Sequence, residues 1–166
     1  MKKLIFPILL LALLPSCEKD DICDPSRPTT SRLIVTFYDN DNPTVPKNVN
    51  QLQVTALGME NPYKTFSGVS SIELPLRTAE DVTAYRMVLN SNDPANDNTD
   101  VLTFTYERQT QYVSRACGYK TVFELSPTAP VALGDADEPD GLWIKSISIE
   151  NYDVRTEDET HIAIYY

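Results

Sequence analysis

Val101-Leu102-Thr103-Phe104-Thr105-Tyr106-Glu107 is the stretch of sequence that decides the fold. Its apolar and aromatic residues alternate with polar ones, so the leucine, the phenylalanine and the tyrosine share one face of a β-strand. The polar residues Arg108 to Thr110 then predict a turn, and Gln111–Cys117 predicts a strand that returns beside the first. The centre of the chain is therefore expected to be a β-hairpin.

Short segments with similar apolar and polar patterns lie on both sides of this hairpin, and polar turns separate them. Gly118 allows a kink or bulge directly after the returning strand. Residues 78–81 could begin one helical turn with Thr78 as its cap, but no amphipathic helix follows. Strands are predicted at Ser31–Asp39, Gln51–Leu57, Tyr63–Phe66, Ser71–Leu74, Thr83–Leu89, Tyr119–Leu125, Leu142–Tyr152 and Thr160–Tyr166, with long loops at 90–98 and 127–141.

This succession of strands predicts an all-β fold class. We expect a single antiparallel β-sandwich over residues 31–166, immunoglobulin-like or transthyretin-like, with little or no helix, because an open two-sheet sandwich is commoner than a barrel. Residues 17–30 should form a flexible linker ahead of it. Pro25, Pro28 and the small polar residues around them favour an extended chain there.

The first residues have the composition of a bacterial lipoprotein signal. Lys2 and Lys3 form a positive region, and Leu4–Leu14 is apolar but too short to span a membrane, which takes about 20 apolar residues. Leu14-Pro15-Ser16-Cys17 resembles a lipobox, in which the chain is cut before the cysteine and the cysteine is lipidated. Residues 1–16 are thus expected to be a signal peptide and Cys17 the lipidation site. The alternative is an ordinary signal peptide with a chance cysteine.

The residues after Cys17 indicate a location in the cell envelope. Glu18-Lys19-Asp20-Asp21 resembles the acidic signal that sends Bacteroidota lipoproteins to the outer face of the outer membrane, although a solvated tether would have the same composition. We expect a protein anchored in the outer membrane through lipid on Cys17, with the cell surface slightly favoured over the periplasmic face.

The net charge argues against one class of partner. The chain has a formal charge of -10, with 14 basic and 24 acidic residues, and removal of the signal would also remove Lys2 and Lys3. A strongly acidic chain without a basic run repels phosphate backbones. Nucleic acid is therefore not an expected partner, and the charge is better explained by solubility.

With Cys17 lipidated, two cysteines remain, Cys23 and Cys117. An even pair in an exported chain predicts a disulfide, which would connect the N-terminal tether to the domain. The alternative is two unpaired thiols, with Cys117 as a small buried apolar residue. Their spacing fits neither a metal site nor a Cys-x-x-Cys redox pair.

No catalytic, metal or cofactor site is predicted. His161 is the only histidine, and the surrounding sequence offers no partners for a triad or a zinc site, so a structural or surface role is expected. A pair of carboxylates could perform glycosidase chemistry, but 24 acids place many pairs together by chance. The acidic loop 135–141 could attract calcium, yet its spacing fails the EF-hand pattern at Pro139, and a solvated loop is the expected reading.

Nine tyrosines and Trp143 could form a platform for sugar rings or a patch for a protein partner. In a sandwich of this size, most of them are expected to lie in the core or in cross-strand pairs. A glycan therefore remains a possible partner on compositional grounds alone.

The chain also resembles an uncharacterised family of small Bacteroidota lipoproteins, a domain of unknown function. The resemblance lies in Tyr106-Glu107-Arg108, in Ser114-Arg115-Ala116-Cys117-Gly118, in Glu150-Asn151-Tyr152 and in the closing residues 161–166. It implies lipidation, an all-β fold and the pairing of Cys23 with Cys117. It carries no catalytic residue to this chain.

These observations lead to hypotheses of three classes. The first is a lipid-anchored outer-membrane lipoprotein that acts as a structural or protein-interaction module, for example by adding a strand to an outer-membrane protein partner through a sheet edge. The alternative is a surface lipoprotein that binds a glycan or a small ligand. The third, an enzyme, is not expected because the sequence shows no catalytic constellation.

Overall fold

The computed structural model describes residues 22–24, 29–136 and 141–166. The predicted signal peptide and Cys17 lie outside the described residues. Within them the chain forms strands but no helix, and so the described residues contain no helix long and apolar enough to cross a membrane. The strands are β1 Leu33–Tyr38, β2 Leu52–Ala56, β3 Lys64–Phe66, β4 Ser71–Leu74, β5 Val82–Leu89, β6 Asn98–Ser114, β7 Gly118–Leu125, β8 Val131–Asp135, β9 Ser146–Ile149, β10 Asp153–Val154 and β11 Ile162–Tyr165.

The strands form two sheets that pack face to face, which confirms the predicted β-sandwich. The small sheet has the order β4-β1-β11-β9, and the large sheet has the order β10-β7-β6-β5-β2-β3, with β8 also paired to β6. All of these neighbours are antiparallel except β1 and β11, which are parallel. The predicted antiparallel sandwich is confirmed, with β1 and β11 as a parallel pair within it. Parallel neighbours require a long connection, and nearly the whole domain connects these two strands.

The core lies between the sheets and is built from alternate residues of the strands. In β2, β5 and β6 the residues of the predicted inner faces are buried or partly buried, as period-two alternation requires, whereas β1 is buried on both faces from Leu33 to Phe37. The largest fully buried side chains are Tyr85, Tyr106, Phe37, Phe104, Phe123, Leu33, Leu52, Ile72, Leu74, Met87, Leu102 and Leu125.

Strand β6 differs from its predicted form. A turn was expected at residues 108–110, but the strand continues to Ser114, and Gln109 and Thr110 pair with Val122 and Thr121 of β7. The reversal lies at residues 115–117. Gly118 follows with a φ of 69°, a left-handed conformation that glycine adopts without steric cost, and the register shifts between Tyr112 and Ser114. Polar residues were a poor turn signal here because both faces of this part of the strand are exposed to water.

Strands β7 and β8 lie end to end along the same edge of β6. Strand β7 pairs with residues 106–114, and β8 pairs with residues 100–104. Between them, Thr105 donates a backbone hydrogen bond to Pro130 and accepts one from Ser126. The prediction of one loop over 127–141 was therefore wrong for residues 131–135. The short run Val-Ala-Leu-Gly is hidden in sequence between prolines and acids, and only its pairing with β6 makes it a strand.

The connection between β4 and β5 is fixed by a buried tyrosine. The Tyr106 hydroxyl lies 2.6 Å from the Thr83 hydroxyl and 3.0 Å from the Arg77 carbonyl oxygen, and the Arg77 amide donates to Thr83 Oγ1 at 2.9 Å. Burial raises the pKa of Tyr106, so the phenol stays neutral at physiological pH. The helical turn considered at residues 78–81 is a series of bends, and these four residues are exposed to solvent.

Replacement of Phe104 by Ala should lower the free energy of unfolding by about 3 to 5 kcal/mol, because the side chain is fully buried and its removal leaves a cavity. Urea denaturation of the protein measures this loss. Thr103→Ala, on the opposite face of the same strand, is the control and should cost much less. A loss below about 1 kcal/mol for Phe104→Ala would contradict the assigned core.

Candidate functional site

The most distinctive surface is a two-stranded ribbon, residues 107–122, which we call the arm. Glu107 to Tyr112 are all exposed, although alternate residues of a strand point to opposite faces. The β6 half of the ribbon therefore exposes both faces to water, whereas on the β7 half Lys120 and Thr121 are partly buried and Val122 is buried. Near its end, Tyr112 and Tyr119 are a cross-strand pair and are 58% and 70% exposed. Their ring centroids are 5.4 Å apart and the rings are edge to face.

The tip of the arm is covalently joined to the N-terminal segment. Cys23 and Cys117 form a disulfide across 94 residues of sequence, which confirms the predicted bridge and excludes two unpaired thiols. The Thr121 amide donates to Thr30 Oγ1 at 3.1 Å, and Ser31 Oγ donates to the Arg155 carbonyl oxygen at 2.6 Å. The N-terminal segment thus contacts the arm before it enters β1.

The base of the arm is held by an exposed ion pair. Arg108 Nε lies 2.5 Å from Asp81 Oδ1, and Arg108 Nη1 donates to the Thr78 carbonyl oxygen at 2.7 Å. A solvent-exposed pair of this kind contributes little to stability. It does connect the arm to the segment between β4 and β5, and so orients the ribbon on the sandwich.

His161 is fully buried and has a structural position. Its Nδ1 accepts a hydrogen bond from the Ile34 amide at 2.9 Å, and its own amide donates to the Ile34 carbonyl oxygen. Nε2 makes no hydrogen bond of normal geometry to the described residues. Burial lowers the pKa of His161, and the Asp153 backbone and nearby carboxylates only partly oppose this effect. The imidazole is therefore neutral at pH 7, with its proton on Nε2.

The best-connected carboxylate belongs to an ion-pair network rather than to an acid–base pair. Both oxygens of Glu157 accept from the Arg32 guanidinium, at 2.9 and 2.6 Å, and the Arg32 amide also donates to this carboxylate. Arg32 contacts Glu73 as well. Hydrogen bonding to Arg32 lowers the pKa of Glu157. A general acid needs a raised pKa, so this group is unsuited to that role.

The acidic loop is closed by one of its own carboxylates. Asp135 Oδ1 accepts from the Ala136 amide at 2.9 Å and Oδ2 from the Gly141 amide at 3.1 Å. The calcium site considered for loop 135–141 includes residues 137–140, which lie outside the described residues. Across the β6–β8 ladder, the buried Asp100 accepts from the Ile144 amide at 2.8 Å. Among the residues that the structure describes, no three potential ligands form a metal site.

The aromatic residues are mostly paired with one another, as expected. Trp143 is buried against Phe37 and Tyr166, and its Nε1 donates to the Met87 carbonyl oxygen. The flattest pair is Tyr38 and Tyr165, which stack at 5.6 Å with 28° between the rings. These two are partly exposed and alternate with core residues, so they lie on the outer face of the small sheet.

One sheet edge carries no charge within its own strand, although Lys145 and Glu150 flank that strand. Strand β9, with the sequence Ser-Ile-Ser-Ile, pairs with β11 on one side and ends the small sheet on the other. It contains no charge, proline or glycine. The other edges carry protective features: Glu73 in β4, Lys64 in β3, and Asp153 in the two-residue β10, while β8 follows Pro130 and ends at Asp135.

A family model described as a family of unknown function, DUF6452, matches residues 51–166. The chain belongs to this family. The DUF6452 match contains the whole arm, Cys117 and strands β2 to β11, but neither Cys23 nor β1, which supplies the centre of the small sheet. No curated protein and no solved structure matches the chain. The family membership agrees with the predicted domain of unknown function.

Sequence reasoning missed three features of this DUF6452 chain. Tyr112 was assigned to the returning strand Gln111–Cys117 and Tyr119 to the next strand, Tyr119–Leu125, with no signal that the two form an exposed cross-strand pair. No sequence feature distinguished the buried Asp100 from the other acidic residues. The open edge of β9 depends on strand order, although its uncharged Ser-Ile-Ser-Ile sequence was visible.

Replacing Cys23 by Ser should lower the free energy of unfolding by about 2 to 5 kcal/mol, because the disulfide closes a long loop in the unfolded chain. Cys117→Ser should cost the same, and the double variant no more, since all three remove one bond. Urea denaturation with and without reductant measures this. Additive losses, or reductant-insensitive wild-type stability, would contradict a bond between these two residues.

Acidification should destabilise the domain through His161. The folded-state pKa is lowered from the ordinary 6.5, so the unfolded chain binds more protons and stability declines as the pH falls below about 6.5. His161→Asn keeps an acceptor near Nδ1 and removes the titration. Unfolding measured between about pH 7 and pH 5 should show a smaller decline in this variant, whereas equal slopes would refute the buried neutral histidine.

Proposed function

We propose that this protein is a lipid-anchored outer-membrane lipoprotein that acts as a protein-interaction module, not as an enzyme. Lipid on Cys17 would provide the anchor, with the outer membrane as its location and the cell surface favoured. The observation that carries the interaction role is the uncharged open edge of β9. A sheet edge of this kind can bind an extended segment of a partner by main-chain hydrogen bonds.

The surroundings of β9 support a recognition edge. Ile147 and Ile149 pack against the core, so the strand is held in position by its inner side chains. Ser146 is exposed at its start. Natural proteins usually protect such edges because they invite aggregation, and the neighbouring edges of this sandwich follow that rule. An edge strand without a charge of its own, in a chain with a net charge of -10, is therefore better explained by a partner.

The histidine and carboxylate geometry favours binding over catalysis. His161 is enclosed and uses Nδ1 to hold β1, and Glu157 is neutralised by Arg32. Neither group is placed to exchange protons with a substrate, because a catalytic acid or base must reach the reacting group within hydrogen-bond distance. The function proposed here needs no cofactor.

A glycan-binding role is the second candidate. The stacked and partly exposed Tyr38 and Tyr165 on the outer face of the small sheet are the observation that favours it, since aromatic faces bind the apolar faces of sugar rings. The exposed pair on the arm is edge to face and offers a poorer platform.

The test is affinity purification of the full-length lipoprotein from gently solubilised native membranes. The wild-type protein should recover a stoichiometric envelope protein. Ser146→Lys adds a charge to the open edge, and we expect it to reduce the recovered partner about tenfold, or about 1.4 kcal/mol of binding free energy. Thr65→Lys, at an exposed position of the β3 edge, is the matched control and should retain the partner.

Cys17→Ala tests the anchor separately and should move the protein from the membrane to the soluble fraction. A partner retained by Ser146→Lys would contradict binding at β9. Recovery of the protein alone would shift the proposal to glycan binding, for which array screening is the next measurement. Membrane attachment of the Cys17→Ala protein would refute the lipobox.

A further inference from the structure

We propose that the tip of the arm lies in the headgroup region of the bilayer that holds the lipid on Cys17, with Tyr112 and Tyr119 as interfacial anchors. This inference rests on the proposed lipid anchor. It goes beyond it by assigning a second membrane contact, made by the folded domain itself.

The disulfide sets the distance between the arm and the membrane. Cys23 is six residues after Cys17, and six residues span at most about 20 Å even when fully extended. Cys23 is bonded to Cys117 at the tip. A lipid on Cys17 would therefore hold the tip, and no other part of the described domain so directly, within about 20 Å of the bilayer surface.

The chemistry of the tip fits that position. Tyr112 and Tyr119 are among the most exposed large side chains of the described residues, and Ile22, beside the disulfide, is 80% exposed. Tyrosine has an apolar ring and a polar hydroxyl, and it is enriched where a membrane meets water. Removal of exposed apolar side chains from water is favourable. In the headgroup region they are solvated by both lipid and water.

The charge of the tip also differs from that of the whole chain. Residues 109–123 contain Arg115 and Lys120 and no acid, whereas the chain carries a net charge of -10. Cations close to an anionic surface are attracted to it. The acids of the tether, Glu18, Asp20 and Asp21, offset this attraction, so we assign the contact mainly to the tyrosines and the orientation to the cations.

The arm would then act as a spacer. Its β6 side from Glu107 to Ser114 has eight residues, which corresponds to about 26 Å at the rise of a β-strand. A tip held at the membrane would place the sandwich at the other end of this ribbon. The lipid, the disulfide and the tyrosines together would restrict the tilt of the domain, which a flexible tether alone could not do.

The experiment uses the lipidated protein, purified from native membranes, in vesicles of phosphatidylethanolamine and phosphatidylglycerol that contain a phospholipid brominated near the headgroup end of its chains. Tyr119→Trp places a fluorophore at the tip. We expect bromine to quench its fluorescence at least twofold relative to unbrominated vesicles. Tyr63→Trp, at a tyrosine that is 43% exposed on the body of the sandwich, is the matched control and should be unaffected, and the wild-type protein gives the background from Trp143.

The outcomes separate this inference from the lipid anchor. If the protein floats with the vesicles but Tyr119→Trp is not quenched, the arm contact is wrong and the anchor stands; a protein partner on the tyrosines would give the same result. If the protein does not float, both fail. Adding Cys23→Ser and Cys117→Ser to Tyr119→Trp should reduce the quenching at least twofold while flotation persists. Unchanged quenching would show that the disulfide does not position the tip.

Discussion

The structure depends on one continuous ladder, the pairing of β6 with β7. The first half of β6 is a central strand of the large sheet, with Leu102, Phe104 and Tyr106 in the core. The second half pairs with β7 and forms the arm. Because both halves belong to one continuous strand, whose first half pairs with β5 and β8, the direction of the arm is set by the sheet. A two-stranded ribbon is marginal alone, and its attachment to the core stabilises it.

The disulfide gives this ribbon a second support at its opposite end. Cys117 lies in the reversal between β6 and β7 and is bonded to Cys23. The ribbon is thus held by packed side chains at its base and by a covalent bond at its tip. The same bond connects the proposed lipid anchor to the tip of the arm, and the edge of β9 belongs to the other sheet. Anchoring and partner binding would then use different surfaces of the domain.

Several features could be predicted from the sequence because they depend on local chemistry. The alternation in β2 and β5 identified the core faces, and an even pair of cysteines in a chain expected to be exported indicated the bridge. Local sequence patterns were insufficient where the pairing of strands determines the structure. The polar residues 108–110 are as compatible with a strand as with a turn when both faces of the strand are exposed to water. Residues 131–135 become a strand only beside β6, and β1 and β11 become parallel neighbours only in the folded sandwich.

By itself, the sequence determined the all-β class, the Cys23–Cys117 pair and a non-catalytic expectation for His161, because alternation, cysteine count and the lack of a histidine partner are properties of the chain. Only the tertiary structure decided that the hairpin extends as an arm, that Tyr112 and Tyr119 are at its exposed end, and that β9 has an open edge. These features follow from which strands become neighbours, and strand order is settled by the packing of distant apolar faces, a non-local choice that local patterns do not encode.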